Sequence, residues 1–207
     1  MVRLILVRHG QTDANLYRLI QGQSDGPLNA TGREQAEALG RHLQGIHMDH
    51  IIASPLRRAY DTACAIARHH QLGVARSPSI VEWNCGALDG LPADEFKEVM
   101  RVSGLPLSQF RPMGGETLAE VRQRAGIFIN EVLAQYDQRT VLICSHGDFM
   151  RTLVSLMRGI TIEDAARIHF DNASYSIADH TDEKWEITAL NQPATTQAPD
   201  WSSPRAR

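Results

Sequence analysis

Short, uninterrupted apolar runs alternate along this chain with longer segments of helical periodicity. Residues 4–7 and 141–144 are four-residue apolar runs, which are typical of strands buried on both faces. Apolar residues recur every three or four positions most clearly over residues 117–136. Further helices are predicted over residues 32–43, 55–69, 93–101, 149–158 and 161–167, and further extended segments over 47–53, 77–82, 174–180 and 184–190. Strands that alternate with helices predict an α/β fold, a three-layer sandwich with a central, mostly parallel sheet flanked by helices.

Three of the helix starts are predicted from capping residues. Thr31 with Glu34 and Thr117 with Glu120 have the spacing of capping boxes. Ser54 precedes a proline, which is typical of an N-cap followed by the first helical residue. We therefore expect these three helices to begin directly after Thr31, Ser54 and Thr117.

The chain is expected to form a single domain over residues 1–191. Glycines and prolines interrupt residues 84–115, which predicts a cap segment rather than a second domain. Residues 192–207 are polar and contain three prolines, which predicts a disordered tail. The N-terminus leads directly into the first strand, without the features of a signal peptide, and no apolar run approaches the roughly 18 residues of a membrane span. A cytoplasmic protein with no membrane partner is therefore expected.

The composition is that of an ordinary globular protein. Of 207 residues, 43% are hydrophobic and 22% are charged, and the formal net charge is −3. This charge gives no overall attraction to nucleic acid, so we expect no nucleic-acid partner. The three cysteines, Cys64, Cys85 and Cys144, are odd in number and far apart, which suits a reducing compartment and argues against a disulfide framework or a thiolate metal site. The oligomeric state is left open.

Both apolar runs end in the same way, at a histidine followed by a glycine. Arg8, His9 and Gly10 follow the first run, and His146 and Gly147 follow the second. Ligands bind at the carboxyl ends of parallel strands, so the two histidines lie together if these strands are neighbours. An imidazole can act as a nucleophile or proton carrier near neutral pH, and a guanidinium binds anions as a fork. Together they predict chemistry on a phosphate.

Two further candidates come from other segments. Arg57 and Arg58 lie in the first turn of a predicted helix at the same sheet edge, where helix amides favour an anion. Adjacent helical residues point about 100° apart, so only one of them can face the pocket. Glu82 follows an extended segment and is a candidate acid. The alternatives for that role are Asp25, Asp89 and Asp94.

Five motifs over residues 3–190 together carry a resemblance to a known family. They are Arg8-His9-Gly10-x-Thr12-x-x-Asn15, Gln21-Gly22 with Asp25-x-Pro27-Leu28, Ser54-Pro55-Leu56-x-Arg58-Ala59, Glu82-x-x-x-Gly86 and Ser145-His146-Gly147. In this order they resemble the histidine phosphatase superfamily, which includes cofactor-dependent phosphoglycerate mutases and fructose-2,6-bisphosphatases. The resemblance selects Arg58 over Arg57 and Glu82 over the other acids.

The resemblance implies a phosphoglycerate mutase-like fold and a role for each matched residue. His9 would take the phosphoryl group as phosphohistidine, and Glu82 would protonate the leaving oxygen and then help water attack. The groups that would bind the phosphoryl oxygens or lie in the same pocket are Arg8, Asn15, Gln21, Gly22, Arg58, His146 and Gly147. No metal and no cofactor are implied, because two guanidiniums and a second imidazole can neutralise the phosphoryl oxygens.

The expected activity is that of a phosphoric monoester hydrolase, of the histidine acid phosphatase type, acting on a small phosphorylated metabolite. The enzymatic alternative is a phosphoglycerate mutase, but similar mutases carry a longer insertion between the positions of Gly90 and Thr117. A third alternative is an inactive relative that binds phosphorylated ligands. Loss of a catalytic residue would favour it, but the sequence retains all five, which are Arg8, His9, Arg58, Glu82 and His146. Cys85 beside the site is interpreted as a small apolar filler or as an oxidation-sensitive thiol.

Overall fold

A computed structural model of the protein describes residues 1–194. These residues form a six-stranded sheet in the order β3-β2-β4-β1-β5-β6. The strands are β1 (Val2–Arg8), β2 (His50–Ala53), β3 (Val74–Arg76), β4 (Thr140–Ser145), β5 (Tyr175–Thr181) and β6 (Lys184–Gln192). All neighbouring strands from β3 to β1 are parallel, while β5 is antiparallel to both of its neighbours. The prediction of a mostly parallel sheet is confirmed.

Helices cover both faces of the sheet. They are α1 (Asp13–Leu16), α2 (Ala30–Leu43), α3 (Arg57–His70), α4 (Ala93–Ser103), α5 (Leu118–Gln135), α6 (Gly147–Arg158) and α7 (Ile162–Ala165). Side chains alternate along β1, so that Leu4 and Leu6 pack with α5 and α6, whereas Ile5 and Val7 pack with α2 and α3. The uninterrupted apolar run therefore serves two cores, which confirms the three-layer sandwich.

The two strands that end in histidine are direct neighbours. β1 pairs with β4 in parallel register from Arg3 with Thr140 to Arg8 with Ser145. Because the pairing ends at the same level, His9 and His146 leave the sheet side by side. This placement is what brings the chemistry of two distant segments to one edge of the sheet.

The structure confirms one predicted helix cap and corrects two. Thr117 and Glu120 form a capping box at the start of α5. Helix α2 begins earlier than predicted, because the side chain of Asn29 rather than Thr31 accepts the hydrogen bond from the Gly32 amide. An Asn can cap as well as a Thr, so the local pattern offered two competing starts.

Ser54 does not cap α3. The N-cap residue of this helix is Leu56, which makes no side-chain cap, and the Arg57 amide donates instead to the Asp25 carboxylate at 2.7 Å. Ser54 is used elsewhere, as a partner of His146. The predicted extended segment over 77–82 is also displaced, because β3 ends at Arg76 and Pro78–Ile80 form a 3-10 turn.

The segment over 84–115 contains α4, and its residues Cys85 and Phe96 line the same cavity as His9. Trp83, Phe96 and Phe110 make successive edge-to-face contacts, with ring centroids 5.5 and 6.4 Å apart, which anchor the segment to the body of the protein. At the C-terminus, β6 continues through Gln192, so this first residue of the predicted tail belongs to the sheet. The remainder of that prediction, from residue 195 onward, lies outside the described residues. Within residues 1–194, none of the helices combines the length and apolar character needed to span a bilayer.

Candidate active site

His9 is buried at the end of β1 and is held in one tautomer. Its Nδ1 lies 2.7 Å from the carbonyl oxygen of Gly10, and because a carbonyl only accepts, Nδ1 carries the proton and Nε2 the lone pair. Burial, and then the charges of Arg58 and Arg8, lower the pKa of His9 well below its usual value. The ring is therefore a neutral imidazole whose free nitrogen is available as a nucleophile.

His146 lies beside His9, with ring centroids 5.2 Å apart and the planes inclined by 58°. Its Nδ1 accepts from Nε of Arg58 at 3.2 Å, and its Nε2 lies 2.8 Å from Oγ of Ser54. Burial and the charge of Arg58 lower the pKa of His146 well below its usual value. Both ring nitrogens are engaged, so a direct bond to a phosphoryl oxygen requires exchange of one of these two partners.

Arg58 is completely buried on α3, as the resemblance selected, whereas the neighbouring Arg57 is on the surface. Its Nη1 donates to the carbonyl of Ser24 at 2.8 Å, and its Nη2 donates to the carbonyl of Gly22 at 2.6 Å. Each of these nitrogens keeps a second N–H. The guanidinium therefore ties the loop at Gly22 to His146 and still has donors for an anion.

Arg8 contributes an unsatisfied donor to the cavity. Its Nη1 donates to the carbonyl of Phe170 at 2.5 Å, while its buried Nε has no hydrogen-bond partner among residues 1–194. A buried donor without a partner costs about 1–3 kcal/mol, and a bound anion would supply that partner. Arg8, His9, Asn15, Gln21 and Gly147 line the same cavity, whose volume is about 180 Å³.

Glu82 lies at the N-terminus of α6, in the same cavity. Its Oε1 accepts from the amides of Trp83 and Phe149 at 2.9 Å, and its Oε2 accepts from the amide of Asp148 at 3.1 Å. Burial first, and then the charge of Asp148, raise the pKa of Glu82 and outweigh these amide bonds. A carboxyl group with a raised pKa keeps its proton to higher pH than an ordinary carboxyl group, which suits a general acid.

The alternative acids have other partners. Asp89 accepts from the Gly22 amide and from both the amide and the hydroxyl of Ser24, which fixes the loop that precedes α2. Asp25 caps α3, and Asp94 lies on the surface with Lys97 and Arg18. Of the four candidates, Glu82 is the one that lines the cavity.

The remaining predicted residues shape the pocket by hydrogen bonds to one another. Asn15 closes a capping box with Thr12, and the Thr12 hydroxyl donates to Oε1 of Gln21 at 2.8 Å. Asn172, which sequence reasoning missed, donates from Nδ2 to Oδ1 of Asn15 at 3.0 Å and to the carbonyl of His9 at 3.1 Å. Gly22 does not line the cavity and acts through its backbone, since a Cβ there would lie 2.8 Å from the Trp83 carbonyl.

A second missed group holds Glu82 in place from behind. Arg124 on α5 donates to the carbonyl of Glu82 at 3.0 Å and pairs with Glu116 at 2.9 Å. Glu116 in turn accepts from the amide of Asn84. The Arg124–Glu82 bond joins residues 42 positions apart, so no local pattern in the sequence could indicate it.

Cys85 is a packing residue. Its thiol is buried, lies 3.6 Å from the Trp83 carbonyl oxygen, and lines the cavity. Burial raises the pKa of this thiol, so it stays protonated and weakly nucleophilic. Of the two interpretations of Cys85, the structure favours the filler.

The cavity also contains a charged pair that the motifs did not include. Asp148 and Arg151 both face it from α6, and their side chains are joined by a 2.6 Å ion pair. The apolar residues that line the same cavity are Leu19, Ile20, Trp83, Cys85 and Phe96.

The arrangement can perform phosphoryl transfer. It combines a neutral nucleophilic imidazole, the guanidinium of Arg8 and a protonatable carboxyl group in one cavity. Arg58 and His146 are fully buried and are not among the residues that line this cavity, although the charge of Arg58 acts on His9. Among residues 1–194, no group of three or more His, Cys, Asp or Glu side chains is arranged to hold a metal ion.

Comparisons with known proteins agree with this chemistry. The profile of the histidine phosphatase superfamily (branch 1) matches residues 4–193. Phosphoserine phosphatase 1 of Hydrogenobacter thermophilus is 33% identical over 195 residues, which cover 92% of each chain. The probable phosphoglycerate mutase GpmB of Erwinia tasmaniensis is 34% identical over 192 residues, covering 89% of this chain and 88% of its own.

A solved structure has the same architecture. A mycobacterial glucosyl-3-phosphoglycerate phosphatase in complex with VO3 superposes with a TM-score of 0.84 at 28% sequence identity. The superposition covers 92% of this chain and 98% of that one. The phosphoglycerate mutase-like architecture extends over nearly all of the described residues.

Proposed function

Because this chain belongs to the histidine phosphatase superfamily, we propose that it hydrolyses small phosphate monoesters through a phosphohistidine on His9, without a metal ion. One observation carries the proposal. The buried, neutral ring of His9, with its lone pair on Nε2, shares one cavity with Arg8 and the protonatable Glu82. A nucleophile, an anion clamp and an acid are the three groups that phosphomonoester cleavage needs.

In the first step Nε2 of His9 attacks phosphorus. The P–N bond forms while the ester P–O bond breaks, and Glu82 gives its proton to the departing alcohol oxygen. Arg8 and Arg58 neutralise the equatorial oxygens, and Asn15 and Gln21 border the same space. The orphaned Nε of Arg8 supports this role, because the phosphoryl group would satisfy it.

In the second step water attacks the phosphohistidine. The P–N bond breaks, a P–O bond to water forms, and the ionised Glu82 takes the proton, which restores the starting state. His146 contributes by holding Arg58 through the 3.2 Å hydrogen bond and by packing against the ring of His9.

Hydrolysis is favoured over mutase activity by the charges around the cavity. A mutase must hold a bisphosphorylated intermediate, which requires a second cluster of cations. Lys97, Arg101 and Arg111 of the cap segment pair with surface carboxylates and are not among the residues that line the cavity. Arg151 does line the cavity, but its charge is already offset by Asp148 at 2.6 Å. Relatives named as phosphatases and as probable mutases both occur, and these charges favour a monophosphate.

We place this activity, of the histidine acid phosphatase type, in the cytoplasm, on small phosphorylated metabolites and without a nucleic-acid partner. The three unpaired thiols support the cytoplasmic location, because they suit a reducing compartment. The net charge of −3 supports the expectation of no nucleic-acid partner.

The test is hydrolysis of p-nitrophenyl phosphate in EDTA, together with trapping of labelled phosphate on the protein by rapid acid-free quenching. The wild-type protein should turn over without added metal, and His9→Ala should lose both turnover and labelling. Residual labelling of His9→Ala, or activity that requires a divalent metal, would contradict the proposal.

A further inference from the structure

The Asp148–Arg151 pair lines the cavity but takes no part in the phosphoryl-transfer steps described above. Arg151 is held in one orientation, because its Nε donates to the carbonyl of Ile168 at 2.9 Å and its Nη1 donates to Asp148 at 2.6 Å. Its Nη2 has no hydrogen-bond partner among residues 1–194, and the side chain is 26% exposed. A fixed guanidinium with donors left over is preorganised for an anionic or carbonyl oxygen.

The guanidinium groups of Arg151 and Arg8 and the carboxyl group of Glu82 all lie close to the Cα of Gly147, where a side chain is absent. A Cβ at this position would lie 3.5 Å from Nη1 of Arg151, 3.7 Å from Nε of Arg8 and 3.9 Å from Oε2 of Glu82. The two guanidinium nitrogens therefore lie at most about 7 Å apart. One ligand can reach both of them while its ester oxygen is close to the acid.

The charges around Arg151 determine which group of the substrate, besides the phosphoryl group, can bind there. Arg8 has no carboxylate partner among its hydrogen bonds and serves the dianionic phosphoryl group, whereas Asp148 already offsets the charge of Arg151. A second phosphate would bring two negative charges beside Asp148, while a carboxylate brings one and matches the planar guanidinium. The cavity of about 180 Å³ limits the rest of the molecule to a short carbon chain against the wall at Ile20 and Phe96.

We propose that Arg151 binds a carboxylate of the substrate, so that the preferred substrates are phosphate monoesters of small hydroxy acids, hydroxy amino acids included. This inference rests on the proposed phosphatase activity and adds a specificity-determining residue to it. Asp148 is then a positioning residue that fixes the direction of the guanidinium.

The experiment compares kcat/KM within two matched pairs of substrates. O-phosphoserine is phosphoethanolamine with an added carboxylate. 3-Phosphoglycerate has a carboxylate at the position where glycerol 3-phosphate has a hydroxymethyl group. The wild-type protein should prefer the carboxylate member of each pair by about 10-fold to 100-fold, the size of a charged hydrogen bond. Arg151→Gln should reduce this ratio to within about 3-fold, and Arg151→Lys, which keeps the charge but loses the fork, should give an intermediate ratio.

Arg101→Gln is the matched control, because it removes the same charge from an exposed ion pair on α4. It should keep the wild-type ratio in both pairs. Equal losses for both members of a pair in Arg151→Gln, or a wild-type ratio near one, would overturn the inference. Turnover of p-nitrophenyl phosphate with trapping on His9 would show in that case that the proposed function itself still stands, whereas absence of both would count against the function.

Discussion

Arg58 donates from Nε to Nδ1 of His146 at a distance of 3.2 Å, and both side chains are completely buried. The bond joins the start of α3 to the end of β4, 88 positions apart in the sequence. Because the guanidinium also reaches the carbonyls of Gly22 and Ser24, one side chain holds together three segments of the site. Replacement of Arg58 should therefore disturb all three segments together.

We predict that Arg58→Lys cannot replace the guanidinium. An ammonium group lacks the planar fork and leaves at least one buried carbonyl unpaired, at a cost of about 1–3 kcal/mol in unfolding free energy. We expect kcat/KM to fall at least about 100-fold, as for loss of a transition-state donor. Urea unfolding and steady-state kinetics measure the two effects. Arg57→Lys, at the adjacent surface position, should change neither. Wild-type stability and kcat/KM in Arg58→Lys would show that the positive charge alone is sufficient.

The pH dependence of catalysis should report Glu82. Its pKa is raised by burial and by Asp148, so protonation of the leaving oxygen should persist above the usual range of a carboxyl group and fail as the pH rises through the raised value. Asp148→Asn removes one raising charge and should move this limb of the kcat/KM profile to lower pH. Glu95→Gln, at an exposed position on α4, should leave the profile in place. An unmoved limb in Asp148→Asn would assign it to another group.

Stability should also depend on pH through the buried imidazoles. The folded pKa values of His9 and His146 lie well below the usual value. As the pH falls, these imidazoles are therefore protonated in the unfolded chain before they are protonated in the folded protein. The contribution of the two imidazoles to the free energy of unfolding is fully present above about pH 6.5. It is lost as the pH falls below that value, by up to about 1.4 kcal/mol per pH unit for each group. Urea unfolding between pH 5 and 7 should therefore show a shallower dependence in His146→Gln. Equal slopes in the wild-type protein and in His146→Gln would contradict this linkage.

Close packing of two backbones should make Gly32 intolerant of a side chain. A Cβ there would lie 2.7 Å from the amide nitrogen of Gln11 and closer still to its carbonyl oxygen. Gly32→Ala should cost about 1–3 kcal/mol by overpacking and should lower kcat by moving the loop that carries His9. Gly126→Ala, inside α5 with its nearest neighbour at 3.8 Å, should instead stabilise the protein by about 0.5–1 kcal/mol. Thermal unfolding distinguishes the two, and destabilisation of both would indicate a different cause.

Several features were predictable because they depend on residues close together in the sequence. The apolar runs before His9 and His146 indicated strands buried on both faces, and β1 and β4 are such strands. The capping box of Thr117 and Glu120 formed as predicted, since both partners belong to the same helical turn.

Other features depended on contacts that no local pattern contains. Ser54 had the sequence of an N-cap, but its hydroxyl lies against His146, and Asp25 from another loop receives the Arg57 amide instead. The choice between Asn29 and Thr31 was of a different kind, because both residues offered a local cap and Asn29 accepts from the Gly32 amide. At Ser54, by contrast, the packing of a distant segment supplied the partner of the helix amide.

The sequence by itself determined that two histidine-glycine turns follow buried strands, and it supplied an arginine and a set of acids as candidates. The motif resemblance already favoured Glu82 over Asp89, and only the tertiary structure decided that Asp89 is engaged with the Gly22 amide and that Arg151 faces the cavity. The physical reason is the range of the interactions. Hydrophobic periodicity and helix capping act within a few residues, whereas the burial and the hydrogen-bond partners of a charged side chain depend on which remote segments close around it.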